Sequence, residues 1–145
     1  MKKIKKIITF VLLGILMLLM GCQKEEISYP TFSAPGWNVV DNPDFSVSMT
    51  AVVSLPDYLA SYAQDDDELA AFVGDECRGI AKKMGYIYYV LISGTTNETS
   101  HIHFCYYSAR NKYMYHTASD INFKADDRIG TTDEPRALSL EIIKE

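Results

Sequence analysis

Asp67-Glu68-Leu69-Ala70-Ala71-Phe72-Val73-Gly74-Asp75-Glu76-Cys77-Arg78-Gly79-Ile80-Ala81 is the stretch from which the fold is read. Leu69 to Val73 is a short apolar run, Gly74-Asp75-Glu76 has the composition of a turn, and Cys77 to Ala81 returns. Two such runs around a glycine-containing turn predict a β-hairpin. Small Ala70 and Ala71 let another layer approach closely, and Phe72 fills the space beside them. Gly74 and Gly79 suit a tight turn and a close backbone contact. Arg78 lies in an apolar strand, so its guanidinium must reach solvent or find a carboxylate. Asp67, Glu68 and Asp75 are the acids within sequence reach. The hairpin reads as scaffold, not as a ligand site.

Strand periodicity continues on both sides. Phe45 to Val53 alternates apolar and small polar residues, the pattern of a strand with one buried face. Tyr86 to Ile92 is rich in β-formers and ends in Ser93-Gly94. His101 to Tyr107 and Lys112 to Thr117 form a second hairpin around Ala109-Arg110-Asn111, and Ile121 to Phe123 and Leu138 to Ile143 supply the last pieces. The one helical candidate, Pro56 to Ala63, is about two turns long and serves as a connector. About eight or nine short strands separated by turn signals predict an all-β fold, an antiparallel β-sandwich of Ig-like or jelly-roll-like type.

Together with Met49-Thr50-Ala51-Val52-Val53 upstream and Tyr88-Tyr89-Val90-Leu91 downstream, segment 67–81 resembles a β-sandwich module of Bacteroidetes cell-surface and secreted proteins. In that module an acidic start, an Ala-Phe-Val-Gly strand and a Cys-Arg-Gly return strand recur. Ile129-Gly130 followed by Pro135 is similar too, and the resemblance covers about residues 37 to 143. It implies the fold and a surface address, without an enzymatic activity or a settled ligand.

The start of the chain is an address of a different kind. Lys2, Lys3, Lys5 and Lys6 precede an apolar run from Ile7 to Met20. That run is too short for an ordinary transmembrane helix of roughly 20 apolar residues, and it suits a signal-peptide core. Leu19-Met20-Gly21-Cys22 resembles the lipobox of bacterial lipoproteins. The resemblance implies cleavage before Cys22, a diacylglyceryl group on its thiol and acylation (palmitate or a similar chain) of the new amine. Two or three acyl chains hold a protein on a membrane where one does so only marginally. A plain secretory signal ending in Gly-Cys, or an uncleaved anchor, is the competing reading. Gln23-Lys24-Glu25-Glu26 resembles the surface-export signal of Bacteroidetes lipoproteins, and a plain charged tether is its alternative. The expected organisation is a signal peptide over 1–21, a lipidated tether over 22–36 punctuated by Pro30, Pro35 and Gly36, and one domain over 37–145.

Removing residues 1–21 takes four of the 14 basic residues and none of the 19 acidic ones, which leaves a mature net charge of −9. An acidic domain without a basic stripe argues against nucleic acid and against anionic membrane as partners. Cys77 and Cys105 remain after Cys22. An exported chain permits a disulfide, yet two cysteines make no disulfide framework, and either one bridge or two buried thiols fits.

Three clusters carry possible chemistry. His101, His103 and Cys105 share a strand face, opposite Ile102, Phe104 and Tyr106. They are weak candidates for a zinc or copper site, with His116 the only further ligand. Asp65-Asp66-Asp67-Glu68 offers hard oxygen donors without the spacing or glycine of an EF-hand loop, so calcium is a lesser reading than solvated charge. Seven of the ten tyrosines (Tyr86, Tyr88, Tyr89, Tyr106, Tyr107, Tyr113 and Tyr115) fall within 30 residues. Strand alternation turns neighbours to opposite faces, so some ring surface is expected outside. Tyr88, Tyr107, Tyr113 and Tyr115 are the candidates for a platform that stacks on a sugar or a protein partner. The competing reading is cross-strand pairing within the sheet. Trp37 reads as a core plug at the start of the domain.

No Gly-x-Ser-x-Gly elbow, His-Glu-x-x-His pair or phosphate-cradling loop is present, and no cofactor motif. The function expected is therefore non-catalytic. It is an outer-membrane, surface-exposed lipoprotein whose module binds a glycan or a protein, or alternatively a structural or accessory subunit of an outer-membrane assembly.

Overall fold

The computed structural model describes residues 3, 4, 26–119 and 121–144, so the lipobox, Cys22 and the apolar run before it lie outside the described residues. Alternation of apolar and polar residues over 4–8 positions gives strands, and those strands appear in sequence order. They are β1 (Val47–Ser54), β2 (Glu68–Val73), β3 (Glu76–Met84), β4 (Ile87–Gly94), β5 (His101–Ser108) and β6 (Tyr113–Thr117). Shorter pieces follow: β7 (Ile121–Asn122), β8 (Arg128–Ile129), β9 (Arg136–Ala137) and β10 (Leu140–Ile142). The helical candidate shrinks to α1, Asp57–Ala60, a single turn after Pro56 whose Leu59 is buried. Among the described residues no helix is long and apolar enough to cross a membrane.

The strands join one sheet in the order β10-β6-β5-β2-β3-β4-β1-β8, with β7 on β5 and β9 on β1. The β class expected from the sequence is what forms. The architecture differs from two packed antiparallel sheets: it is a single curled, mixed sheet, a half-barrel. Most pairs are antiparallel, while β8 and β9 lie parallel to β1. Period-2 alternation demands that one face be buried and is silent on whether a second sheet or the curl of the same sheet buries it.

The curl turns on β3. Its first half pairs with β2 (Glu76↔Val73, Cys77↔Phe72, Gly79↔Ala71, Ile80↔Ala70) and its second half with β4 (Ala81↔Val90 to Met84↔Ile87). Arg78 is left without an opposite residue in β2, which makes a bulge, and bulges bend and twist a strand. Gly79 fits only without a side chain: an added Cβ would lie 2.3 Å from the Leu91 carbonyl oxygen. Gly74, at φ +55°, makes the tight turn between β2 and β3.

Inside the curl lies one core. Met49, Ala51 and Val53 of β1 meet Tyr88, Val90 and Ile92 of β4. Leu69 and Ala71 of β2 meet Ile102, Phe104 and Tyr106 of β5. Each large side chain fully buried there contributes about 1.5–3 kcal/mol. The last segment ties the two ends of the sheet together. β9 pairs with β1, the Leu138 N–H bonds to the Ser54 carbonyl at 2.9 Å, and two residues later β10 pairs with β6. Leu138 and Leu140 plug the core between them.

Because the Leu91 carbonyl belongs to paired backbone and cannot give way, Gly79→Ala should destabilise the fold by about 1–3 kcal/mol. Urea unfolding followed by circular dichroism measures it; an unchanged midpoint would remove Gly79 from the account of the curl.

Candidate functional site

The outer face of the sheet is largely occupied by the chain's own N-terminal segment. Residues 29–36, read from the sequence as tether, run along it before Trp37. The Phe32 N–H bonds to the Lys112 carbonyl at 2.8 Å, the Tyr107 hydroxyl donates to the Phe32 carbonyl at 3.3 Å, and the Gly36 N–H reaches Glu68 Oε1 at 3.3 Å. Trp37 packs edge-on against Phe72 at 5.4 Å, over a small outer cluster of Ala70, Phe72, Cys77 and Cys105. Expected as a core plug, Trp37 is instead half-buried on this outer cluster, outside the main core. The Val40 N–H then bonds to the Cys77 carbonyl at 2.9 Å.

That strap and the curl together decide the fate of the tyrosines. Tyr88 and Tyr115 face the core and are buried, Tyr107 is buried beneath the strap, and Tyr113 is half-buried with Tyr29 edge-on at 5.8 Å. The four do not share an exposed face. Opposite orientation of Tyr106 and Tyr107 holds, yet both faces are covered, which alternation alone does not foresee. Tyr106 packs on Tyr115 at 6.0 Å, the cross-strand pairing that was the competing reading. The Tyr88 hydroxyl is buried without a hydrogen-bond partner among the described residues. Burial, with Asp67 and Asp65 near by, pushes its phenol up to about 12.

Asp67 is a structural acceptor. The Tyr106 hydroxyl and the Gln64 N–H (2.7 Å) donate to one oxygen and the Ala109 N–H (2.8 Å) to the other. Burial first, then this bond to a carboxylate, raises the Tyr106 phenol far above its ordinary range. Asp65 pairs with Lys83 at 3.1 Å, and Glu68 holds the strap. Asp65, Asp67 and Glu68 of the acidic run thus serve different partners. Among the described residues no three His, Cys, Asp or Glu side chains converge on a metal-sized point. His101 is exposed, His103 stacks on Phe72 at 5.6 Å, and Cys105 sits in the outer cluster.

Cys77 and Cys105 are free thiols. Cys77 on β3 lies beside Phe72 and Cys105 on β5 beside Ala70, with β2 between them. Two strand spacings, about 9.6 Å, exceed the Cα separation a disulfide tolerates. Burial raises both thiols, Cys105 to about 11, where the nearby Cys77 adds to the effect.

Arg78 finds its neighbour Glu76 and the distant Glu98, and not Asp67, Glu68 or Asp75. In the bulge its guanidinium bonds to Glu76 and Glu98 and to the Ser93 carbonyl, with Phe45 stacked 4.0 Å from its carbon. Both long side chains are shielded, at 7% exposure for Arg78 and 9% for Glu98, while Glu76 is half in solvent. Burial alone would raise the Glu98 carboxyl. Bonds from the Thr95 N–H, the Ser100 hydroxyl and Arg78, with the Arg78 charge, outweigh it and hold the group below its ordinary value. Nothing in the sequence joins positions 78 and 98; the bulge brings them together.

Beside Glu98 an open groove of about 650 Å³ runs between the 96–99 loop, His101 and residues 122–125. Asn97, Asn122, Lys124 and His101 contribute polar groups to a lining that is otherwise mostly apolar, with Phe123 and Ala125 among it. A smaller depression of about 240 Å³ lies at the other end of the strands, among Leu55, Ala60, Ala63, Lys83, Tyr86 and Tyr88. Outside the strap, part of the outer face of β3 and β4 stays in solvent: Ile80 is 45%, Met84 53% and Leu91 61% exposed, while Ile87 is buried and the Tyr89 hydroxyl pairs with Thr132. This strip was missed in the sequence, because alternation assigns Ile80 and Leu91 to a face without saying whether that face is covered.

No protein-family model matches the chain, and no curated protein or solved structure is significantly similar to it.

Two outcomes follow from the buried groups. The Glu98 carboxyl is depressed in the fold, so its stabilisation is complete above the unfolded value of about 4.3 and is lost as the pH falls through the lower folded value. Glu98→Gln should flatten the fall of stability in that acid window and lower stability near neutrality by about 3 kcal/mol, since it leaves a buried guanidinium short of charge. Denaturant midpoints from pH 7 to pH 3 measure both. Native protein at pH 7.5 should also resist alkylation at Cys77 and Cys105 until denaturant is added, and reductant should leave its melting temperature unchanged.

Proposed function

We propose that the mature chain is a lipid-anchored, surface-exposed outer-membrane lipoprotein whose β-module is non-catalytic and binds a protein partner through the outer face of β3 and β4. The observation that carries the binding surface is the strip of Ile80, Met84 and Leu91, three large apolar side chains exposed on neighbouring strands. Exposed apolar strips on a sheet face serve protein contact better than they serve water. Exposed Lys82 and half-buried Tyr89 lie between them, giving the mixed apolar and polar composition of a non-obligate interface. The anchoring half of the reading is supported by the order of basic start, short apolar run and Leu19-Met20-Gly21-Cys22, and by the charged residues 23–26. The likeness of residues 67–81 to β-sandwich modules of Bacteroidetes surface proteins supports the address and the absence of catalysis.

A glycan ligand is the second reading, favoured by the amide, imidazole and ammonium groups lining the groove beside Glu98. Sugar hydroxyls are recognised by such groups.

The test uses the native lipoprotein extracted in mild detergent, with and without the double substitution Ile80→Lys and Leu91→Lys. The substitutions are on exposed positions and should leave the melting temperature within a few degrees. Loss of a co-purifying protein by at least tenfold is the expected result. A partner retained in full by the double variant removes the strip as the binding surface. Retention of an immobilised glycan, lost on Asn122→Ala and Lys124→Ala, would move the assignment to the groove.

A further inference from the structure

The exposed tyrosines are not spread over the molecule. Register places the β1 end at Ser54, the β3–β4 turn between Met84 and Ile87, the β2 start at Glu68 and the β5–β6 turn between Ser108 and Tyr113 at one end of the half-barrel. α1 and residues 61–67 connect β1 to β2 across that same end. Every tyrosine classed as exposed among the described residues lies there: Tyr58 at 54%, Tyr62 at 48% and Tyr86 at 72%. The opposite end carries the polar 96–99 loop and the groove, with Val39 and Val40 as its exposed apolar groups.

The strap begins at the tyrosine end. Tyr29 packs on Tyr113, the Phe32 N–H bonds at Lys112, and Ile27 just before them is 75% exposed. Between Cys22 and Tyr29 there are seven residue steps. At about 3.6 Å each, they reach at most about 25 Å. The eight-residue strands are themselves about 26 Å long. The far end would meet a bilayer only with this link fully extended along the whole domain. The near end meets it with the link relaxed.

We infer that the β3–β4 and β5–β6 turns face the bilayer, with Tyr58, Tyr62 and Tyr86 in contact with zwitterionic lipid headgroups. The orientation rests on the Cys22 anchor proposed above. A tyrosine has an apolar ring and a polar tip, which suits the layer where hydrocarbon gives way to water; the Tyr58 hydroxyl donates to the Leu140 carbonyl, so this residue offers its ring. Charge does not drive the contact: Arg110 sits over Tyr62 at 4.9 Å and Lys112 is near by, while Asp57, Asp65 and Asp66 share the same end. The groove and the Gly74-Asp75 turn then point away from the membrane, and the β3–β4 strip stands on the side wall.

Nitroxide labels on Tyr86→Cys and, separately, on Thr96→Cys test the orientation in the full lipoprotein reconstituted into phosphatidylcholine vesicles. Both sites are exposed, and the control is the labelled parent chain, which carries Cys22, buried Cys77 and half-buried Cys105. The Tyr86 label should collide with a water-soluble nickel chelate at least threefold less often than the Thr96 label, and with lipid-soluble oxygen more often. Equal accessibility, or the reverse order, overturns the orientation. Mass spectrometry of the same sample separates the two readings. Lipid found on Cys22 with no difference between the labels overturns the orientation alone, whereas an unmodified Cys22 overturns the anchor and the orientation together.

Discussion

Everything in this fold depends on a change of partner within β3. A sheet with one apolar face must bury it, and the described residues hold neither a helix long enough nor a second sheet to lay over it. The remaining solution is for the sheet to close on itself. β3 makes that possible by pairing with β2 over its first half and β4 over its second, with the bulge at Arg78 between them. The missing side chain at Gly79 lets the Leu91 carbonyl approach, and the apolar residues of β1, β4, β2 and β5 meet across the resulting hollow. Segment 136–142 then holds the two ends of the sheet together by bonding to β1 and β6 in turn.

The bulge has an electrostatic consequence as well as a geometric one. It leaves Arg78 unpaired in the ladder and shielded from water, where an isolated guanidinium is costly. Glu98 meets that cost from a loop 20 residues away, and is itself held by Thr95 and Ser100. The pair thereby fixes the 95–100 loop against β3 and gives the neighbouring groove one firm wall. The same economy explains Asp67, which ties the 64–67 loop, the buried Tyr106 hydroxyl and the backbone after β5 into one knot. Glu98 and Asp67, the latter from the acidic run read in the sequence as possible calcium donors, are therefore fasteners.

Surface character follows from what the strap covers. Residues 29–45 take up the outer face over β5, β2 and the start of β3, and convert Tyr107, Phe72 and Cys77 into a second, small interior. They leave part of the β3–β4 wall bare. Sequence alternation located six of the seven tyrosines on strands, Tyr86 falling in the β3–β4 turn, and turned neighbours apart, but it could not show that a segment from far along the chain would lie over the second face. That is why a platform of Tyr88, Tyr107, Tyr113 and Tyr115 is legible as a pattern and is not an exposed surface in the fold.

By itself the sequence determined the local features: the hairpin at 67–81, glycines where a positive φ or a close contact leaves no room for Cβ, the alternation of β1 and β5, and the brevity of the helix. These depend on neighbours within a few residues, whose periodicity and steric demands are written in order along the chain. Tertiary structure alone decided that the sheet curls instead of stacking, that Arg78 meets Glu98 and not Asp67, Glu68 or Asp75, that Cys77 and Cys105 are held a strand apart, and which apolar side chains remain in water. Each of those outcomes is set by which distant segments come to share a face, and that depends on long-range burial, which no local pattern encodes.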